Sequence, residues 1–150
     1  MPLIALLAAL FVAAFVAVFA ARRMLAVVTV RGESMRPTLE PGDRLLLLRT
    51  PVTRIRRRQV VLLQPPDHLG TWRRDALPSP AAGEWVVKRV AALPGDPMPA
   101  EMERDPDAVV PPGTLVVLGD GEYSADSRLW GPVPADRVIG VVARTLASPK

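Results

Sequence analysis

At residues 85–96 the chain reads Trp-Val-Val-Lys-Arg-Val-Ala-Ala-Leu-Pro-Gly-Asp. The β-branched, apolar first part of this stretch predicts a strand, and the Pro-Gly-Asp that ends it predicts a turn. Alternate side chains of a strand point to the same side, so Val86, Lys88 and Val90 share one face. A lysine between two valines is removed from water, which lowers its pKa from an ordinary value of about 10.4. The same pattern also fits an edge strand whose Lys88 and Arg89 extend into solvent.

Similar apolar segments lie on both sides of this strand, separated by stretches rich in proline. They predict further strands at residues 25–30, 44–49, 60–63, 114–118 and 138–146. Seventeen prolines and the lack of a second helical repeat favour a mainly β fold. We therefore predict a single β domain over residues 25–147.

An uninterrupted apolar segment precedes this domain, from Leu3 to Ala21. As a helix it would extend about 28 Å, roughly the thickness of the hydrocarbon core of a bilayer. We predict a transmembrane anchor over residues 3–21, with a cleaved signal peptide ending near Ala21 as the alternative. Arg22 and Arg23 follow directly, and by the positive-inside rule they would place the domain in the cytoplasm.

The composition excludes several kinds of active site. The chain has no cysteine and only one histidine, His68, so disulfides, thiolate nucleophiles and a zinc site are not expected. A Ser-His-Asp protease would have to use His68, which lies in a proline-rich loop segment. We expect no metal and no cofactor. The seven aromatic residues and the absence of a groove-reading motif argue against nucleic-acid binding, in spite of a net charge of +4.

The segment after the first predicted strand carries a serine in a distinctive setting. It reads Gly-Glu-Ser-Met-Arg-Pro-Thr-Leu over residues 32–39. Gly32 permits a tight backbone, and Ser34 just beyond it can present its hydroxyl and its own N–H to one substrate carbonyl. An ordinary Ser-Pro-Thr turn between strands is the simpler interpretation of the same residues.

A second polar segment follows the strand predicted at 114–118. A neutral lysine amine needs a hydroxyl to orient it, and Ser124 could supply one. Asp126 and Arg128 are spaced so that a bidentate ion pair could hold the loop. The same residues also fit a simple polar turn.

Taken in order behind an apolar anchor, these segments resemble the type I signal peptidase (leader peptidase) family. The resemblance rests on Gly-x-Ser-Met-x-Pro-Thr-Leu at 32–39, Lys-Arg-Val with a later Pro-Gly-Asp at 88–96, and Gly-Asp with Ser-x-Asp-Ser-Arg and Gly-x-Val-Pro at 119–134. It implies a serine–lysine peptidase domain of coiled antiparallel β-sheets behind one transmembrane helix.

The resemblance also implies roles for individual residues. Ser34 would be the nucleophile and Lys88 its general base, with Ser124 positioning the amine and Asp126 and Arg128 bracing the site. The oxyanion hole would rest on the backbone N–H of Ser34. Some relatives add a serine hydroxyl at the position of Gly32, which this chain lacks.

The substrates that the resemblance implies are signal peptides of secreted pre-proteins, with small residues one and three positions before the cut. They would bind as an added strand, with Val28, Val30, Met35 and Val87 lining shallow pockets. Family members work on the outer face of the cell membrane, which conflicts with the arginines after the anchor.

The sequence departs from the family pattern in its third motif, where Gly121 stands in place of a common asparagine. Two alternatives therefore remain beside a general signal peptidase. One is a peptidase dedicated to a single secreted substrate. The other is a catalytically silent, membrane-tethered β domain whose basic stretch, residues 49–58, touches anionic lipid headgroups.

Overall fold

The computed structural model describes residues 2–80, 82–102 and 107–147. One long helix is followed by a β domain, and the elements occur in the order α1 (Pro2–Met24), β1 (Leu25–Thr29), β2 (Arg44–Leu48), β3 (Val60–Leu63), β4 (Val86–Ala92), β5 (Thr114–Leu118), α2 (Ser127–Trp130), β6 (Val133–Pro134) and β7 (Val138–Ala147). Single 3-10 turns occur at Val52–Arg54, Ala100–Met102 and Ala135–Arg137.

The first helix, α1, is long and apolar enough to cross a membrane. Its segment Leu3–Met24 has a mean hydropathy of 3.0, and none of its most apolar window is buried against the domain. Apolar side chains that face outward along a whole helix are stable only in an apolar medium. Met24 is followed immediately by β1, so little chain separates the helix from the sheet.

The seven strands form one antiparallel sheet in the order β1-β2-β7-β3-β4-β5-β6. The last strand, β7, lies between β2 and β3 and so joins the two ends of the domain. The prediction of a mainly antiparallel β fold behind one apolar helix is confirmed. The strand predicted in the first part of residues 85–96 is observed as Val86–Ala92, and the one predicted at 25–30 as Leu25–Thr29.

Most of the core forms on one side of the central strands. Val61, Leu63, Val90, Leu115 and Val117 are all at most 1% exposed and pack together there. A smaller cluster between β1 and β2 contains Val30, Met35, Leu39 and Leu45. The two clusters support, respectively, the strand that carries Lys88 and the turn that carries Ser34.

Candidate active site

Lys88 is buried in the middle of the sheet. It lies on β4 opposite Val61 of β3, and its side chain is 2% exposed, like that of Val90 on the same face. Burial lowers the pKa of Lys88 to about 8, with Asp126 opposing this shift and Arg128 adding to it. A lysine with this pKa is uncharged in about a tenth of the molecules at pH 7, far more than an ordinary lysine, so its amine can accept a proton.

The amine of Lys88 contacts a serine. Its Nζ lies 2.9 Å from Oγ of Ser124. Ser124 also lies near the carboxylate of Asp126 and lowers the pKa of that group. Since a carboxylate can only accept, the hydroxyl of Ser124 can direct its proton to Asp126 while its oxygen accepts from Lys88. The three polar groups thus follow one another in the order Lys88, Ser124 and Asp126.

Asp126 is fully buried and held by several donors. Its oxygens accept from the backbone N–H of Gly119 at 2.8 Å, from the N–H of Arg128 at 3.1 Å, and from the Arg128 guanidinium at 2.7 and 3.0 Å. Burial works against the carboxylate, but these bonds and the one from Ser124 lower the pKa of Asp126 to about 2. The group is therefore charged and fixed over the whole working pH range, as the ion pair predicted between Asp126 and Arg128 requires.

Ser34 lies in the turn after β1, beside the loop that follows β5. Its carbonyl oxygen accepts a hydrogen bond of 2.9 Å from the N–H of Gly121. A Cβ at Gly119 would collide with both this carbonyl and Oγ of Ser124, and both oxygens lie within 2.5 Å of that position. The nucleophile candidate and the group that contacts Lys88 are thus brought to the same corner of the molecule.

The departure at Gly121 has a local physical reason. A Cβ there would lie 2.7 Å from the carbonyl oxygen of Glu33, which is closer than side-chain carbons are found. Glycine at 121 therefore allows the loop to approach the serine turn directly. Gly32, with a φ of 85°, adopts a backbone conformation that favours glycine, and nothing lies within 4 Å of the place where its side chain would be.

A second acid–arginine contact was missed by the sequence reasoning. Asp120 accepts from Nε of Arg89 at 2.8 Å and from the hydroxyl of Thr38 at 2.5 Å. The hydrogen bonds lower the pKa of Asp120, chiefly through Arg89. This contact ties the serine turn to the strand of Lys88. The signal in the sequence was an arginine next to the lysine and an aspartate in the third motif.

Ser127 was also missed. It is 1% exposed, and its Oγ accepts a hydrogen bond of 2.9 Å from the N–H of Val117 on β5. Asp126 caps the short helix α2 that begins at this serine. Ser127 therefore anchors the Asp126 loop to the sheet, a role that no local pattern indicates.

A cleft of about 490 Å³ leads to Ser34. All four residues predicted to line substrate pockets contribute to it, namely Val28, Val30, Met35 and Val87. Residues 27–29 of β1 line it as well, and among the described strands β1 pairs with β2 alone. Val30 and Met35 line the cleft but are only 5% and 1% exposed, so they form its floor. Glu84 and Trp85 also line the cleft.

No cluster of metal-binding side chains occurs within residues 2–80, 82–102 and 107–147. His68 is exposed on its loop, outside the residues that line the cleft.

Comparison with known proteins adds independent information. A model of the family described as "Signal peptidase, peptidase S26" matches residues 3–105 and 98–146. A signal peptidase I from Leptolyngbya laminosa is 28% identical over 135 residues, covering 74% of this chain and 63% of that protein. A probable signal peptidase I-1 from Synechocystis sp. is 30% identical over 135 residues, covering 74% of this chain and 65% of that protein. The chain thus spans slightly less than two thirds of the length of these curated relatives.

Proposed function

The chain belongs to the signal peptidase family, peptidase S26, and from that premise we propose that it is a serine endopeptidase that removes signal peptides from secreted pre-proteins. Ser34 is the nucleophile and Lys88 the general base. The observation that carries the proposal is the buried amine of Lys88, 2% exposed and 2.9 Å from Ser124, beside the turn that bears Ser34.

The hydrogen bonds support a defined direction of proton transfer. Ser124 gives its only proton to Asp126, so it can accept from Lys88 but cannot donate to it. The neutral amine uses one N–H for Ser124 and keeps its lone pair for the hydroxyl of Ser34. Lys88 takes that proton as the oxygen of Ser34 attacks the scissile carbonyl carbon.

The remaining steps follow from this first transfer. The tetrahedral intermediate collapses to an ester on Ser34, and the ammonium of Lys88 protonates the departing amine of the mature protein. Lys88 then takes a proton from the water that attacks the ester, and returns it to Oγ of Ser34 as the ester bond breaks and the signal peptide leaves with a free carboxylate. The backbone N–H of Ser34 stabilises the oxyanion, and Gly32 supplies no second side-chain donor.

The cleft favours an extended substrate with small side chains. A segment that pairs with the free edge of β1 would place alternate side chains toward the floor at Val30 and Met35. Because this floor is closed by buried residues, alanine-sized side chains fit there and larger ones do not. This is the substrate preference that the family resemblance implies.

We further propose that α1 anchors the enzyme in the cell membrane with the β domain on the extracytoplasmic face. The length and apolar surface of the helix support the anchor. The location of the domain rests on the family, and Arg22 and Arg23 would favour the opposite orientation.

Cleavage of a pre-protein by the full chain in detergent tests the proposal. We expect the wild type to release the signal peptide, and we expect no cleavage by Ser34→Ala or Lys88→Ala. Thr53→Ala should keep full activity, because it removes a hydroxyl from an exposed residue outside the cleft. Thermal melting of each variant verifies folding. Absence of cleavage by every form, all of them folded, would favour the catalytically silent β domain.

A panel of pre-proteins with unrelated signal peptides separates general from dedicated processing. We expect several to be cut, because shallow pockets over a closed floor select for side-chain size. Cleavage of one pre-protein alone would support the dedicated maturation peptidase.

A further inference from the structure

The cleft ends at Ser34, and a second loop lies next to that end. The cleft is lined mainly by residues from the stretches 27–35 and 83–87, and among the described residues none of 119–124 lines it. We call residues 119–124 the exit loop. It contacts the turn that bears the serine, because the N–H of Gly121 donates to the carbonyl of Ser34 at 2.9 Å. A peptide that fills the cleft and continues past Ser34 therefore meets the exit loop next.

The part of a substrate that crosses the exit loop follows from the proposed function, on which this inference rests. The cleft, with its floor at Val30 and Met35, takes the residues before the cut. The first residues of the mature protein then lie across the exit loop. The side chains that this loop exposes are therefore candidates for contact with the mature part of the substrate.

The exit loop carries Tyr123, which at 88% is the most exposed of the large apolar side chains that the structure describes. The backbone is held on both sides of it, since Gly121 bonds to Ser34 and the side chain of Ser124 contacts the amine of Lys88 at 2.9 Å. A ring with this exposure buries little area, so it adds little to the stability of the fold. Exposed tyrosines on a fixed backbone are typical of binding surfaces, because they offer a large contact area and have few side-chain rotations to lose.

The charge around Tyr123 is negative, although the chain as a whole carries +4. Glu122 is exposed, and no ion pair among the described residues involves it. Glu33, which directly precedes Ser34, is 69% exposed and shares Arg36 with Glu40, so these three side chains together keep one negative charge. A substrate that leaves the cleft here meets an aromatic ring and an excess of carboxylates.

We propose that Tyr123 and Glu122 bind the first residues of the mature protein and prefer a basic side chain there. The face of the tyrosine ring attracts a cation, and the carboxylate beside it attracts the same charge. An acidic side chain in the same place is repelled by both groups. Tyr123 thus determines specificity on the side of the leaving group, whereas Val30 and Met35 act on the side of the signal peptide.

Three synthetic peptides with one shared signal-peptide part test this proposal. The first has a lysine as the second residue after the cut, the second has a glutamate there, and the third ends after the first residue as an amide. Cleavage by the full chain in detergent is measured as kcat/KM. We expect a value about fivefold higher for the lysine peptide than for the glutamate peptide.

Variants of the exit loop identify the groups responsible for this ratio. Tyr123→Ala and Glu122→Gln should each lower it, and the double variant should bring it close to one. Tyr123→Phe keeps the ring and should keep the ratio. Leu69→Ala removes a side chain that is 78% exposed and lies outside both the cleft and the exit loop, so it is the matched control and should change nothing. Added salt should reduce the contribution of Glu122, because exposed charges are screened.

The short peptide separates contact with the substrate from support of the lysine. Removal of the residues beyond the first should lower kcat/KM of the wild type severalfold. The same removal should affect Tyr123→Ala much less, because this variant has already lost the contact. If Tyr123→Ala instead loses activity equally on the long and the short peptides, the ring only holds Ser124 in place and the proposal is wrong.

Two further results would overturn the proposal and leave the proposed peptidase intact. One is equal cleavage of the lysine and glutamate peptides by the wild type. The other is a ratio that persists in the double variant, which would assign the preference to other residues. A wild type that cuts none of the peptides would instead refute the proposed function itself, and this inference with it.

Discussion

Lys88 and Arg89 are neighbouring basic residues on β4, yet their surroundings in the structure are opposite. The side chain of Lys88 is 2% exposed and contacts a hydroxyl, and burial lowers its pKa to about 8. The side chain of Arg89 is 31% exposed and donates hydrogen bonds to both oxygens of Asp120. These bonds raise the pKa of Arg89. The period-two geometry of the strand is the origin of the difference, because it directs the two side chains to opposite faces.

The comparison separates two tasks that a cation performs in this site. A lysine that loses water and gains no carboxylate contact becomes a base. An arginine that keeps its charge and gains a carboxylate becomes a structural tie between the serine turn and the strand. Arginine in place of Lys88 should therefore fail as a base, since guanidinium does not give up its proton at working pH.

The largest effect is expected from Lys88→Arg. Charge is retained, but the base is lost, so kcat/KM should fall by at least about a thousandfold. Pre-protein cleavage measured with the folded variant checks this. Arg89→Lys is the matched control, and we expect it to retain most activity. A Lys88→Arg enzyme within a few-fold of wild type would end the general-base assignment.

The next largest loss of activity is expected from Ser124→Ala. The amine of Lys88 loses its hydrogen bond to the Ser124 hydroxyl, and misplacement by about 1 Å can reduce a rate about a hundredfold. We expect the loss in kcat more than in KM, because Ser124 does not line the cleft. A loss confined to KM would instead assign Ser124 to substrate binding.

The pH dependence of the wild type should follow the neutral form of Lys88. Because its pKa is about 8, kcat/KM should fall about tenfold for each pH unit below that value and level off above it. A peptide substrate without titratable groups near the cut isolates the enzyme's own titration. A rate that stays level from acid to alkaline pH would contradict the role of a lysine base.

The smallest effect is expected from Asp120→Asn, which breaks the tie made by Arg89. We expect a loss of about 1–2 kcal/mol in the free energy of unfolding at neutral pH, with a pH profile of cleavage that stays in place. Because the pKa of Asp120 is lowered on folding, its contribution is complete above the ordinary carboxyl pKa and disappears as pH falls through the lowered one. Denaturant unfolding of the wild type and of Asp120→Asn in detergent, at neutral and at acid pH, measures the difference in stability. An equal difference at both pH values would show that the carboxylate charge is not responsible.

The sequence was sufficient where structure depends on local alternation. The β-branched run around Lys88 and the apolar run before Arg22 each have one plausible conformation, so β4 and α1 could be predicted. The burial of Lys88 followed from the same alternation, and a hydroxyl partner at Ser124 followed from the needs of a neutral amine.

The features of the fold and of the site that could not be predicted depend on contacts between distant parts of the chain. Insertion of β7 between β2 and β3 is a choice among strand pairings that alternation alone does not restrict. The link among Thr38, Arg89 and Asp120 joins three segments, and each of these residues by itself resembles ordinary polar surface. The exposure of Leu48 was hidden for a related reason, because four consecutive leucines in β2 do not reveal which of them the core covers.

Burial of the Lys88 amine also has a thermodynamic consequence for the whole protein. In the unfolded chain the amine holds its proton up to a pH near 10.4, whereas in the folded protein it releases it near 8. Between these values the unfolded chain binds more protons, so the fold becomes more stable as the solution becomes more alkaline. Alkaline pH therefore both deprotonates the catalytic base and removes a buried charge from the folded protein. We expect the pH range in which the enzyme is active to be one in which its fold is also more stable.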